Sequence, residues 1–335
     1  MSRFRTIVEV EKCSRRIDHN TFSLWLGSCF TENIGVNLAR LKFPVDINPF
    51  GVLYNPVSIS NSLSILINEK VFTVEDLFYS NGLWNSFSHH SSFSDPDRDV
   101  CIQKINEGIK KSSEILEKAV FLFVTFGTAR IYRHKETGLV VSNNHKLPHN
   151  TFTQELLTVE EIVGNYNLLI RELRKLNKDL QIVFTVSPVR HWKDGATGNL
   201  ISKSTLMLAI DQLTSVFESA SYFPAYELVM DDLRDYRFYD EDMIHINRQG
   251  VDYIWKKFSD AYISDSSLPL VKEILAIKQG LDHRPFNPSG PDYQLFLANI
   301  LARIGEVEMS GTSIDFSPEK ELIRSWLKDQ EKSQL

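Results

Sequence analysis

Short apolar runs alternate along this chain with stretches whose apolar residues recur every three or four positions. The runs at 22–26, 119–125, 180–186 and 222–229 are too short for helices and rich in aromatic or β-branched residues, as buried strands are. Helical periodicity falls between and after them, at 31–41, 57–68, 100–118, 202–219 and 248–262. Thr158, with Glu161 three residues on, is a capping box that opens a further helix to Leu176. Positions 44–49 read as a short strand running into the proline- and glycine-rich loop 50–56, and 74–78 as a short helix. The serine-rich, aromatic-dotted segment 80–99 is expected as an ordered loop, and 131–152 as a hairpin above the sheet. Strand alternating with helix predicts an α/β fold, a three-layer sandwich around a mostly parallel sheet.

The pattern changes after about Ser264. Helical segments at 268–279, 293–305 and 318–332, with a proline-rich loop at 285–291, predict a helical C-terminal extension. The expected division is 1–262 for the α/β domain and 263–335 for the extension. A length of 335 residues fits two such parts.

Composition narrows the function classes. With 37 Lys and Arg against 43 Asp and Glu, net charge −6, the chain lacks the basic excess of a nucleic-acid binder. Charges at Arg3, Arg5 and Glu9 interrupt any leader-like apolar stretch, and no later run spans a bilayer, so no membrane association and a cytoplasmic location are expected. Cys13, Cys29 and Cys101 are odd in number and far apart, which fits neither a disulfide framework nor a zinc ribbon.

Ser28 follows Gly27 directly behind the first strand, while Asp242 and His245 sit three residues apart far downstream. A serine hydroxyl becomes a nucleophile when a base takes its proton and a third group orients that base. The plainer readings are a small helix-capping Ser28, a packed Cys29 rather than a thiolate nucleophile, a capping His245, and an Asp242 that merely belongs to an acidic run. In open parallel sheets ligands bind beyond the carboxyl ends of the strands. Ser28, Asn48 to Gly51, Gly127 with Thr128, and Ser187 to His191 all fall at such ends, where loop amides can hold an oxyanion. Arg190 suits a carboxylate or phosphate, or an acidic neighbour. Trp84, Phe87, Phe93 and Tyr132 suit a sugar face or ordinary loop packing. His89, His90, His145, His149 and His191 lie on loops without metal-binding spacing, so no metal site is predicted, and His90 and His191 are read as substrate contacts.

Further words stand in order along the chain: Gly27-Ser28-Cys29-Phe30, Asn48-Pro49-Phe50-Gly51, Tyr54-Asn55-Pro56, the segment Trp84 to Phe93, Thr125-Phe126-Gly127-Thr128-Ala129, Ser187-Pro188-Val189-Arg190-His191, Tyr222 to Glu227, Met230 to Tyr236 and Asp242 to His245. From about Phe4 to about Phe258 the sequence resembles the GSCFA-domain proteins, relatives of the SGNH or GDSL hydrolases. The resemblance implies an SGNH-like fold with Ser28 as nucleophile, His245 as base and Asp242 as orienting acid. It places the loops of Gly51 and Gly127–Thr128 where SGNH enzymes keep an oxyanion glycine and asparagine. Thr128 departs from that asparagine, leaving Asn55 or Asn48 as candidate side-chain donors. The implied activity is a serine esterase or acyl hydrolase acting without a cofactor on a small acyl ester, preferably an O-acylated carbohydrate. An acyltransferase using the same triad, and a catalytically inactive carbohydrate-binding or scaffold protein, are the alternatives. The C-terminal helices are candidates for covering the site or for pairing copies as a homo-oligomer. The whole reading requires Ser28 and His245 to meet across a pocket.

Overall fold

A computed structural model describes residues 5–283, 285–287, 290–309 and 314–333. The strands in chain order are β1 (Ser23–Gly27), β2 (Val45–Ile47), β3 (Phe78–Ser80), β4 (Leu83–Asn85), β5 (Phe121–Phe126), β6 (Arg130–His134), β7 (Val140–Val141), β8 (Phe152–Leu156), β9 (Gln181–Val186) and β10 (Ala220–Tyr222). The α-helices are α1 (Cys29–Arg40), α2 (Pro56–Ile67), α3 (Arg98–Lys118), α4 (Val159–Leu176), α5 (Gly195–Val216), α6 (Ala225–Glu227), α7 (Arg248–Tyr262), α8 (Leu268–Asp282), α9 (Pro291–Met309) and α10 (Ser317–Ser333).

Five strands form one parallel sheet in the order β10-β9-β5-β1-β2. Side chains alternate across a strand, and both faces here are apolar. Leu24, Leu26, Leu122, Val124, Phe126, Phe184 and Val186 join the core shared with α2 to α5. On the opposite face Trp25 stacks on Phe123 at 3.8 Å, and Phe258 of α7 meets both rings edge-on at 5.5 Å. The result is a three-layer α/β sandwich. The chain passes from β1 to β2 on one side and later crosses back to β5 on the other side of β1, so the carboxyl ends of β1 and β5 flank the switch point where such sheets bind ligands.

Several segments depart from the pattern-based expectation. A capping box of Thr73 and Asp76 closes only a single 3₁₀ turn, Val74–Asp76, before β3 begins and pairs with β4 inside the expected loop. The expected hairpin is a three-stranded antiparallel sheet, β7-β6-β8. The last strand stops at Tyr222 because Pro224 follows, without a backbone donor, and 225–232 continues as α6 and the π-helical turn Leu228–Asp232. Periodicity cannot separate a short apolar strand from a short buried helix. α5 begins at Gly195, seven residues ahead of the expected start, since polar contacts of Asn199 override the low helix propensity of this Gly-rich stretch. Phe4 and two residues of the 285–291 loop, Pro288 and Ser289, lie outside the described residues.

The chain folds as two compact units. The first takes Met1–Glu11, Phe22–Val36 and Val45–Phe258; the second takes Lys12–Thr21, Asn37–Pro44 and Ser259–Leu335. Within the second unit, Ile274, Ile277, Leu297, Ile300, Ile304, Phe316 and Ile323 are buried. Among them Glu319, 5% exposed, accepts hydrogen bonds from Lys42 and Lys278. Burial alone raises its carboxyl, but the bonds from Lys278 and Lys42 outweigh that and hold it below its ordinary value. Glu319→Ala leaves two lysines facing an apolar hole. The expected loss is about 2 kcal/mol, less than for a fully enclosed pair because both ammonium groups keep some solvent. Urea unfolding at neutral pH measures it. A depressed carboxyl stabilises fully above its unfolded value, so the gap between wild type and variant should narrow as acid protonates Glu319.

Among the described residues, no helix is long and apolar enough to cross a membrane.

Candidate functional site

β1 runs so close to β5 at its end that a Cβ on Gly27 would lie 2.3 Å from the Thr125 carbonyl oxygen, and Gly27 has φ +146°. Glycine is therefore required at the residue that delivers Ser28 to the switch point. Ser28 is 1% exposed and precedes α1, with its hydroxyl accepting the Phe30 amide at 3.4 Å and its carbonyl accepting Thr31 N at 2.8 Å. It sits at the positive end of the α1 dipole. Its own amide makes a long bond, 3.4 Å, to Thr125 O, and the Cys29 amide has no carbonyl acceptor among the described residues.

The second half of the candidate triad lies on a tight turn. Met243 takes φ +59°, and Tyr239 and Ile246 bridge across the turn's base. Asp242 Oδ1 accepts the amides of Ile244 and His245, both at 2.9 Å, and Oδ2 lies 2.5 Å from His245 Nδ1. These bonds, the His245 ring first, hold the Asp242 carboxyl down at about 2. With Nδ1 directed at the carboxylate, Nε2 is the nitrogen placed to accept a proton. The His245 side chain is 53% exposed. The structure thus brings Asp242 and His245 together; among the described residues no hydrogen bond joins either of them to Ser28.

The amides expected to cradle an oxyanion are mostly engaged. Gly51 N donates to Asn48 O at 2.6 Å, and both Gly127 N and Thr128 N donate to Tyr54 O, at 2.7 and 2.9 Å. The Thr128 hydroxyl pairs with Ser202 Oγ at 3.0 Å and accepts Arg130 N. Asn55 caps α2, accepting Ser58 N at 2.8 Å and donating to Ser58 Oγ at 3.0 Å. These four residues shape loops rather than present free donors. Asn48 differs: its Oδ1 accepts Gly27 N at 2.9 Å, while among the described residues its Nδ2 reaches only Glu32 Oε1, at 3.5 Å. His90 accepts Ser92 N as the cap of the 3₁₀ turn Ser91–Phe93, and its Cβ occupies the space a side chain on Gly51 would need.

His191 packs edge-on against Tyr54 at 5.3 Å between ring centres, with its ring against Gly127. Burial first, then the Lys203 charge, pushes the imidazole down to about 4, so it is neutral near pH 7. Arg190 is half-buried and its guanidinium approaches Met230 Sδ at 3.5 Å; no carboxylate pairs with it among the described residues. His89 is a core residue stacked on Phe50, its ring pushed down to about 3, chiefly by burial. Among the described residues, no three His, Cys, Asp or Glu side chains gather to hold a metal ion.

Sequence reasoning missed the buried face of α5. Asn199 Oδ1 accepts His191 N at 3.0 Å and Ser202 Oγ accepts Ala129 N at 2.8 Å. Lys203, 1% exposed, donates from Nζ to Gly127 O and Ser187 O, each at 2.6 Å. Three polar residues of one helix therefore fasten the loops behind β5 and β9. The signal was present: positions 199, 202, 203, 206, 209, 210 and 213 form a single helical stripe, so Lys203 falls on the buried side.

No curated protein sequence matches this chain. One similar solved structure is a carbohydrate esterase family 3 protein from Talaromyces cellulolyticus, with 10% identity and a TM-score of 0.35 over 76% of this chain and 99% of that one. Another is the acetyl xylan esterase Est2A from the rumen bacterium Butyrivibrio proteoclasticus, with 12% identity and a TM-score of 0.35 over 76% of this chain and 64% of that one, less than two thirds of its length. The profile of the GSCFA family matches residues 23–258, and that of the GSCFA domain protein, C-terminal domain, matches residues 274–329. Since the first match spans well over half of the sequence, the chain belongs to the GSCFA family.

Proposed function

We propose that this protein is a serine esterase of the SGNH type that cleaves a small acyl ester, with an O-acylated carbohydrate as the substrate class. The observation that carries the reading is the Asp242–His245 pair, whose 2.5 Å bond at Nδ1 leaves Nε2 for a proton. Ser28 lies at the switch point of the same unit, at the N-terminus of α1. In the first step Ser28 Oγ bonds to the ester carbonyl carbon and its proton passes to His245 Nε2. The tetrahedral intermediate then breaks its bond to the alcohol oxygen, and the alcohol leaves with that proton. Water adds to the acyl carbon, its proton passing to Nε2, and the acid is released as Ser28 regains a proton. The amides of Ser28 and Cys29 and the Nδ2 of Asn48 are the donors assigned to the oxyanion. An alcohol in place of water makes the same triad an acyltransferase.

Catalytic hydrogen bonds are often long or unformed without substrate. The reading requires His245 Nε2 to reach Ser28 Oγ in the substrate complex. One observation favours a second reading, that of a carbohydrate-binding protein without turnover: the nearly enclosed Ser28 hydroxyl already caps α1. A fluorophosphonate probe followed by peptide mapping separates the two. One adduct per chain on Ser28, slowed in His245→Ala, is the esterase result; an unlabelled Ser28 supports the binding protein.

A further inference from the structure

Exposed aromatic and large apolar residues on a soluble protein are usually scattered. Here Trp192, Tyr236 and Met243, all exposed, border a single groove of about 490 Å³, with the half-buried rings of Tyr226 and Tyr239 beneath. Tyr236 and Tyr239 lie 6.1 Å apart between ring centres. Such rings offer apolar faces with polar tips, which suits a polyhydroxyl ring better than a hydrocarbon.

The charges in the groove are unequal in their pairing. Asp231 accepts Arg234 at 2.6 Å, and Asp235 faces Arg237 at 3.5 Å while also accepting that residue's amide. Both acids are therefore neutralised by a neighbour. Among the described residues Arg190 has no such neighbour: its contact is the Met230 sulfur, and its charge acts on the hydroxyls of Tyr226 and Tyr239 and on buried Lys203. A half-buried guanidinium without a carboxylate has its planar fork open to a two-oxygen anion. Met243, on the groove rim, stands between Asp242 and His245, so the groove reaches the turn that bears the base.

We infer that this groove binds an anionic sugar residue, with Arg190 taking its carboxylate or phosphate and Trp192 and Tyr236 covering the ring. The inference rests on the esterase reading for its catalytic meaning: the acylated substrate is then an acidic saccharide, held by its charged unit beside the scissile ester.

Binding rather than turnover tests this, using the full chain carrying Ser28→Ala so that no ester is consumed. Calorimetric titration compares trigalacturonate, the neutral galactose trimer and galactose 6-phosphate. An anionic sugar should bind about tenfold or more tighter than the neutral trimer. Arg190→Gln should erase that preference without lowering the melting temperature, Arg190→Lys should keep part of it, and Trp192→Ala should weaken every ligand. A preference seen with trigalacturonate identifies a sugar acid, and one confined to galactose 6-phosphate identifies a phosphosugar. Equal binding of charged and neutral sugars, or a preference that survives Arg190→Gln, overturns the inference. Loss of Ser28 labelling with the anionic preference intact defeats only the esterase reading, and labelling without the preference defeats only the groove assignment.

Discussion

If the proposed esterase mechanism holds, Ser28→Ala should lower kcat/KM for a short-chain aryl ester by about three orders of magnitude or more, while Cys29→Ala should leave it within a few-fold. The two neighbours differ in chemistry. Burial first, and then Glu32, raise the Cys29 thiol above its ordinary value, so it carries little of the thiolate that would make it the nucleophile. In the proposed mechanism Ser28 relies on an external base, and the Asp242–His245 pair is assigned that task. Asp242→Asn sharpens the argument. Its amide oxygen can still accept the Ile244 and His245 amides, so the turn survives, but its NH₂ cannot accept the proton on Nδ1. The imidazole then loses its orientation and tautomer, and turnover should fall about 10²–10⁴-fold with an unchanged melting temperature. Ser28→Ala also removes a weak helix cap worth about 1 kcal/mol, which thermal unfolding separates from the kinetic loss. Turnover that survives Ser28→Ala and disappears with Cys29→Ala would shift the nucleophile by one residue.

Above neutrality the stability of the wild type should gain on that of Lys203→Met as the pH rises. Burial, the dominant cause, and the Arg190 charge push the Lys203 ammonium down to about 7, with only partial relief from Cys29. An unfolded lysine keeps its proton to about pH 10.4. Below pH 7 both states are protonated and this group adds no slope. Between about pH 7 and 10 the unfolded chain holds more protons than the folded one, so raising the pH favours folding, by up to about 1.4 kcal/mol per unit. Methionine fills similar space and carries no titrating proton, so the difference in slope between the two proteins isolates Lys203 from other groups titrating in that window. Urea unfolding from pH 6 to 10 reads it directly. Parallel curves for the two proteins would mean that Lys203 keeps an ordinary affinity for its proton in the fold.

What the sequence disclosed follows the range over which each feature is determined. The helix at 248–262 and the capped helix opening at Thr158 are local matters of periodicity and a single box, and both were legible. So was the Asp242–His245 pair, because a spacing of three lets one turn carry both groups. The state of the oxyanion loops was not, because the acceptor of the Gly127 and Thr128 amides is the carbonyl of Tyr54, more than seventy positions away. The bond between Asn48 and Gly27 was hidden for the same reason. Lys203 was overlooked because a lysine within a helix is ordinarily read as solvated, although its place on the apolar stripe argued otherwise. The segment 222–229 was misassigned where an apolar run meets a proline, since hydrophobicity marks burial without fixing backbone shape.

The polar face of α5 has a mechanical consequence. Trp192, on the rim of the groove, lies three residues ahead of a rod riveted at Asn199, Ser202 and Lys203 to the loops behind β5 and β9. Groove and loops share one lever, so a ligand that tilts the rod also shifts the backbone at Gly127, Ala129, Ser187 and His191.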